Sequence, residues 1–146
     1  MSSQLPIPDE PLNVLITKTL TLPDVTSEEE SLIREAAGPG STVVIVDSLK
    51  EGVEFASTAD VILGITPKWL FESAPNLKWV HATASGVDMF MFEEFVKSDV
   101  ILTGEKGLVG GHLADTAFGL LLALTRKIKK AIELGPEGWT LENREM

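Results

Sequence analysis

Residues able to do chemistry crowd into one stretch of this chain. His81, Ser85 and Asp88 put an imidazole, a hydroxyl and a carboxylate within eight residues, the raw parts of a base, a nucleophile and an orienting acid. Two features weigh against hydrolytic use: no Gly-x-Ser-x-Gly elbow surrounds Ser85, and side chains this close along one strand and its loop seldom converge on a common point. Residues 83–87, Thr-Ala-Ser-Gly-Val, offer different chemistry. Their side chains are small, so main-chain amides of Ala84, Ser85, Gly86 and Val87 can approach a ligand closely and form an anion-binding concavity. The same residues also read as a plain strand-to-helix turn with Asp88 as the cap. A second turn, Lys-Gly-Leu-Val-Gly-Gly at 106–111, opens an apolar helix and suggests phosphate contact, but it lacks the Rossmann spacing and the lysine of a P-loop. His81, on a strand of alternating character, reads as a packed or capping histidine. His112 is a candidate for cofactor-phosphate contact or a solvated end residue. Two separated histidines without cysteine make a poor metal site, and the absence of cysteine excludes disulfides and a thiol nucleophile.

The elements that must position these residues follow from apolar runs and caps. Short runs rich in branched residues at 12–17, 42–46, 60–64, 77–81 and 99–102 carry the signature of strands buried on both faces. Helices separate them. Thr26 or Ser27 caps one whose first turn holds Glu28, Glu29 and Glu30, and Gly38-Pro39-Gly40 ends it. Asp47 or Ser48 caps a second, through 57. Thr66 with Pro67 at the first helical position starts a third, through 73, and a fourth covers 89–96. Strands alternating with helices give a parallel sheet with right-handed crossovers. The expected fold is therefore α/β, a flavodoxin-like doubly wound five-stranded parallel sheet with a long C-terminal apolar helix. In such sheets ligands bind beyond the carboxyl ends of the strands, which selects Gly64, Ile65 and Thr66, residues 82–88 and residues 103–111 as the functional edge.

Composition bounds the function. A chain of 146 residues, 44% hydrophobic and 23% charged, is one domain with a self-sufficient core. Its formal charge of −10 opposes nucleic acid and anionic membranes, so neither is expected as a partner. No apolar run approaches the roughly 20 residues of a membrane span, no secretory signal is present, and a cytoplasmic location is the default. The expected organisation is a loose leader over 1–11, the sheet domain over 12–111, a crossover helix over 112–135 and a tail over 136–146. That helix, 113–134, is apolar almost all round until Arg126, Lys127, Lys129 and Lys130. A helix apolar on every side needs cover on every side, and a second copy of the chain supplies it, giving a homodimer.

The order of strand 77–81, loop 82–88 with Ser85-Gly86-Val87-Asp88, strand 99–102, glycine turn and Ala114-Asp115-Thr116 helix start resembles the N-terminal substrate domain of the NAD-dependent D-isomer-specific 2-hydroxyacid dehydrogenases. The resemblance implies reversible reduction of a 2-oxo acid. It implies that main-chain groups of Ala84, Ser85, Gly86 and Val87, with Gly64 and Ile65, hold the acid, and that Leu108, Val109 and His112 face the cofactor. The family's catalytic arginine, histidine and carboxylate have no counterpart here, so no catalytic residue is assigned. NAD or NADP belongs to the resembling family's other half, and this chain alone is expected neither to bind it tightly nor to turn over substrate. Where the family has Glu-His early in the helix, this chain has Asp115-Thr116. Two readings stand: the substrate-binding part of such a dehydrogenase, or a non-catalytic dimerising module that binds a small carboxylate.

Overall fold

A computed structural model describes residues 10–136. The chain divides into two compact units, one through Lys106 and one from Gly107 onward.

The first unit is a five-stranded sheet in the order β2-β1-β3-β4-β5, parallel throughout. The strands are β1 (Asn13–Thr17), β2 (Thr42–Val46), β3 (Val61–Leu63), β4 (Trp79–Ala82) and β5 (Ile101–Gly104). Between them run α1 (Ser27–Ala37), α2 (Leu49–Ala56), α3 (Lys68–Glu72) and α4 (Glu93–Val96). Side chains alternate between the two faces of each strand. Leu15, Ile62 and Val80 point to one face and pack with Ala56, Leu70, Phe90 and Phe95 in the larger core. Val14, Ile16, Val43 and Val61 point to the other, where Ile33 and Ala37 of α1 meet them.

Local signals explain most boundaries. Thr26 caps α1 through a capping box: its hydroxyl accepts from the Glu29 N–H at 3.2 Å, and the Glu29 carboxylate accepts from the Thr26 N–H at 2.8 Å. The Thr26 N–H, and then the Thr26 hydroxyl, which donates to the same carboxylate at 2.8 Å, hold the Glu29 carboxyl below its ordinary range. Ser48, not Asp47, caps α2. At the amino edge of the sheet Asp60 accepts from the Asn13 N–H at 2.9 Å and Nδ2 at 3.1 Å and pairs with Lys78 at 2.8 Å. Burial works against ionisation of Asp60, but Lys78 and the Asn13 donors outweigh it and hold the carboxyl below its usual value. One side chain thereby ties β1 to the start of β4.

Four expectations need correction. Thr66 does not cap α3: Pro67 is the N-cap, and the Thr66 hydroxyl is buried without a partner among the described residues. Asp88 is not a cap either; it is the first residue of a 3-10 turn, Asp88–Phe90, that has no side-chain cap bond. The helix expected over 89–96 is this turn followed by the separate α4. Phe90 and Phe95 are buried, Phe92 packs against the same core, and positions 90, 92 and 95 do not share one helical face, so the chain breaks to deliver all three rings. The long helix expected over 113–134 is two helices in the second unit, α5 (Gly110–Thr125) and α6 (Ile128–Leu134), and α5 starts three residues before Leu113. Lys127 between them is left-handed at φ 48°. The Lys127 N–H reaches back to Leu124 and the Thr125 hydroxyl to Leu122, closing the last turn. Arg126, Lys127, Lys129 and Lys130 repel one another if stacked on continuous turns.

Candidate functional site

At the carboxyl edge, β4 passes into the loop 83–87, which is pinned by Glu105 after β5 and by Thr21 after β1. The Ala84 carbonyl accepts from the Glu105 N–H at 3.4 Å, and the Ser85 hydroxyl donates to the Glu105 carbonyl at 3.2 Å. The Thr83 hydroxyl pairs with that of Thr21 at 3.2 Å. Gly104 lets the end of β5 come close enough for this, since a Cβ there would stand 3.2 Å from the Ala84 carbonyl oxygen. The anchors use a carbonyl and a hydroxyl. Among the described residues the N–H groups of Ser85, Gly86 and Val87 have no protein acceptor, although Ser85 and Val87 are half-buried. Main-chain donors are normally paired. Three successive unpaired ones at the carboxyl end of a parallel strand can receive the oxygens of a carboxylate. The Asp88 carboxylate stands beside this loop, 3.8 Å from where a Cβ on Gly86 would be.

Gly64 and Ile65 lie at the switch point between β1 and β3. There the crevice is filled. The Gly64 N–H donates to the His81 carbonyl at 2.9 Å, and its φ of 135° belongs to glycine. A Cβ at Gly64 would stand 2.3 Å from Thr17 Oγ1. Ile65 is half-buried and Thr66 fully buried. Lys18, just after β1, is held between Asp24 at 3.1 Å and Asp47 at 3.0 Å. Hydrogen bonding to Asp47 and then Asp24 raises its pKa, so its charge is met within the scaffold.

His81, Ser85 and Asp88 do not assemble into a triad. Trp79 Nε1 donates to Thr103 Oγ1 at 2.8 Å, and the same oxygen lies 2.8 Å from His81 Nδ1. An indole N–H can only donate, so the Thr103 oxygen accepts from Trp79, and it pairs with His81 Nδ1 as donor or acceptor according to the imidazole tautomer. The imidazole thus stands on the α1 face of the sheet. It lines a cavity of about 290 Å³ with Ile16, Leu22, Val25, Glu29, Leu32, Ile33, Leu63 and Thr83. The Ser85 hydroxyl is engaged by Glu105 instead. Thr103 and Glu105 fall within the stretch 103–111 that the sequence selects as part of the functional edge, but it singles out neither the Thr103 side chain nor the Glu105 main chain. Thr103 had a signal, a polar residue in an apolar strand; Glu105 acts through its carbonyl, which leaves no trace in residue type.

In the second unit Leu108, Val109 and His112 are exposed at the start of α5, with Val109 as N-cap and no side-chain cap bond. A Cβ at Gly107, Gly110 or Gly111 would meet nothing, so these glycines do not form a close-fitting cradle. Among the described residues no strand leads through a Gly-x-Gly-x-x-Gly turn into a helix, and the donors present do not fit a dinucleotide pyrophosphate. No group of three or more metal-ligating side chains occurs among them, and no helix of the described residues is long and apolar enough to cross a membrane.

No family model matches the chain. A glyoxylate reductase of Thermococcus litoralis is 41% identical over 64 residues, 44% of this chain and 19% of that protein. One of Korarchaeum cryptofilum is 30% identical over 100 residues, 68% of this chain and 29% of that protein. One of Pyrococcus horikoshii is 28% identical over 117 residues, 80% of this chain and 35% of that protein. The chain thus spans about a fifth to a third of the length of the curated relatives it matches. Among solved structures, a D-isomer-specific 2-hydroxyacid dehydrogenase family protein from Aeromonas salmonicida superposes with a TM-score of 0.70 at 22% identity. The match covers 86% of this chain and 39% of that one, and it shows the fold.

Proposed function

This chain belongs to the D-isomer-specific 2-hydroxyacid dehydrogenase family, and we propose that it is the substrate-holding part of an enzyme that interconverts a small 2-oxo acid and its 2-hydroxy acid. The observation that carries the proposal is the row of unpaired N–H groups at Ser85, Gly86 and Val87 beyond β4. Fixed amide dipoles cost no reorganisation when an anionic ligand arrives. Small side chains at Ala84, Ser85 and Gly86 leave room for a ligand the size of glyoxylate, the acid in the relatives' names. Gly64 acts from behind, bonding to β4 through the His81 carbonyl and lying against Thr17 of β1.

In this reading residues 10–136 bind and orient the acid, and they hold no group placed to move its proton. NAD or NADP supplies the hydride in the resembling family; here it would be held by residues outside these 146, and no step is assigned to it. The test is ligand-detected NMR with glyoxylate and, separately, NADH, together with an NADH oxidation assay. Glyoxylate binding without NADH oxidation is the expected result, and robust turnover by the 146-residue chain would refute it.

A second reading is favoured by one observation. Leu113, Phe118, Leu120, Leu121, Leu122 and Leu124 of α5 are between 52% and 76% exposed. That surface suits a module that associates with its own kind through α5 and binds a small carboxylate without catalysing its reduction.

A further inference from the structure

The loop after β4 offers an anion only partial charges, and it does so in a chain whose formal charge is −10. Amide dipoles at Ser85, Gly86 and Val87 can receive a carboxylate, but the Asp88 carboxylate stands beside them and repels one. A cation within reach decides the balance. In the first unit Lys18, Arg34, Lys68, Lys78 and Lys97 each pair with a carboxylate. Lys50 and Lys106 pair with none among the described residues. Lys50 belongs to α2, which follows β2, and β2 lies three strand spacings, roughly 14 Å, from β4 in the sheet. Lys106 is beside the loop, because its neighbour Glu105 is the residue that pins Ala84 and Ser85.

We propose that Lys106 is a substrate-binding residue whose ammonium closes over the carboxylate held by the loop amides. The inference rests on the reading that this loop holds a 2-oxo acid, and it adds the charged group that completes the site. Three observations support it. Reach is the first. The Ser85 hydroxyl is 3.2 Å from the Glu105 carbonyl oxygen, and Lys106 Cα follows that oxygen across one peptide at about 2.8 Å, so Cα is within about 6 Å of the hydroxyl. A lysine stem carries its ammonium about 6 Å from Cα. Second, the backbone at Lys106 is fixed. Its N–H returns to the Gly104 carbonyl at 2.9 Å and Gly107 takes φ 88°, so a tight turn holds Lys106 just past β5. Third, the side chain is exposed and no carboxylate engages it among the described residues. Binding an anion there breaks no existing pair, whereas recruiting Lys18 would break two. An ammonium is a point charge with three donors, so it can take whichever carboxylate oxygen the amides leave outermost.

The test is a ¹⁵N–¹H titration of the 146-residue chain with oxamate, a small monocarboxylate whose amide carbonyl does not condense with lysine amines. It is run on the parent, Lys106→Gln, Lys106→Arg and Lys50→Gln at low and high salt. The spectrum itself checks each fold, and Lys106→Met replaces Lys106→Gln should the latter not fold. In the parent the Ser85, Gly86 and Val87 amides are expected to shift on one saturating curve, with affinity falling severalfold from about 50 to about 300 mM salt. Lys106→Gln is expected to weaken binding about tenfold and to remove most of that salt dependence. Lys106→Arg, which keeps the charge, should stay within about threefold of the parent, and Lys50→Gln should match it. A Lys106→Gln chain that binds as tightly as the parent while its loop amides still shift overturns the proposal and leaves the loop reading standing. Equal losses in Lys106→Gln and Lys50→Gln also overturn it, because the chain's overall field then acts and not a contact. A parent whose loop amides do not move overturns the substrate-holding reading, and the role of Lys106 falls with it.

Discussion

Replacing Gly64 by alanine tests whether the switch point is closed by packing. Two costs add. At φ 135° a residue with a side chain sits in a region that belongs to glycine, a strain of roughly 1–3 kcal/mol. The new Cβ would also stand 2.3 Å from Thr17 Oγ1 and 2.9 Å from the Thr17 carbonyl oxygen. Relieving such overpacking moves backbone, at about 1–3 kcal/mol more. A loss of about 4 kcal/mol is a large share of the stability of a domain this size. Urea unfolding followed by circular dichroism should show the midpoint falling by about 2 M at an ordinary m-value. Thr17→Ala in the same background removes the 2.3 Å contact but neither the carbonyl contact nor the dihedral strain, so it should restore less than half of the loss. A midpoint that falls by less than about 0.5 M, or full rescue by Thr17→Ala, would refute the reasoning.

Other consequences are equally open to measurement. Asp60→Asn removes the charge that pairs with Lys78 while keeping an acceptor for Asn13, and should cost about 2 kcal/mol in urea unfolding at neutral pH. The folded-state pKa of Asp60 lies below its ordinary 3.8, so its contribution is complete above that value and is lost as pH falls through the lowered one. The gap between parent and variant should therefore narrow below about pH 4; a gap independent of pH would contradict the assignment. Thr26→Ala opens the capping box of α1 and should cost about 1 kcal/mol by the same assay.

How far the chain could be read from its sequence depends on which forces were local. β2 falls at 42–46 as expected because its apolar run and its ends coincide. β4 and β5 begin two residues later than 77 and 99. Leu77 and Val100 are apolar and packed in the core, but from loops, and the ladder starts where the Asp60 carbonyl accepts from the Lys78 and Trp79 N–H groups. Composition cannot separate an apolar strand residue from an apolar loop residue beneath a helix. The break at Lys127 was hidden because α5 and α6 share a helical pattern on either side of it. At the loop, smallness was legible at Ala84, Ser85 and Gly86, and it marked the stretch with open amides. The partners were not legible: Thr103 under His81, the Glu105 carbonyl under Ser85 and Thr17 against Gly64 are contacts between separate strands or the residues just beyond them.

The central claim is that the loop after β4 holds a carboxylate by its main chain, and an amide-resolved ¹⁵N–¹H titration of the chain with glyoxylate tests it most directly. The N–H resonances of Ser85, Gly86 and Val87 should move together and saturate on one binding curve, while those of Gly110, Gly111 and His112 stay in place. Saturable binding that leaves the three loop amides unmoved, or that shifts the α5 amides instead, would contradict the account.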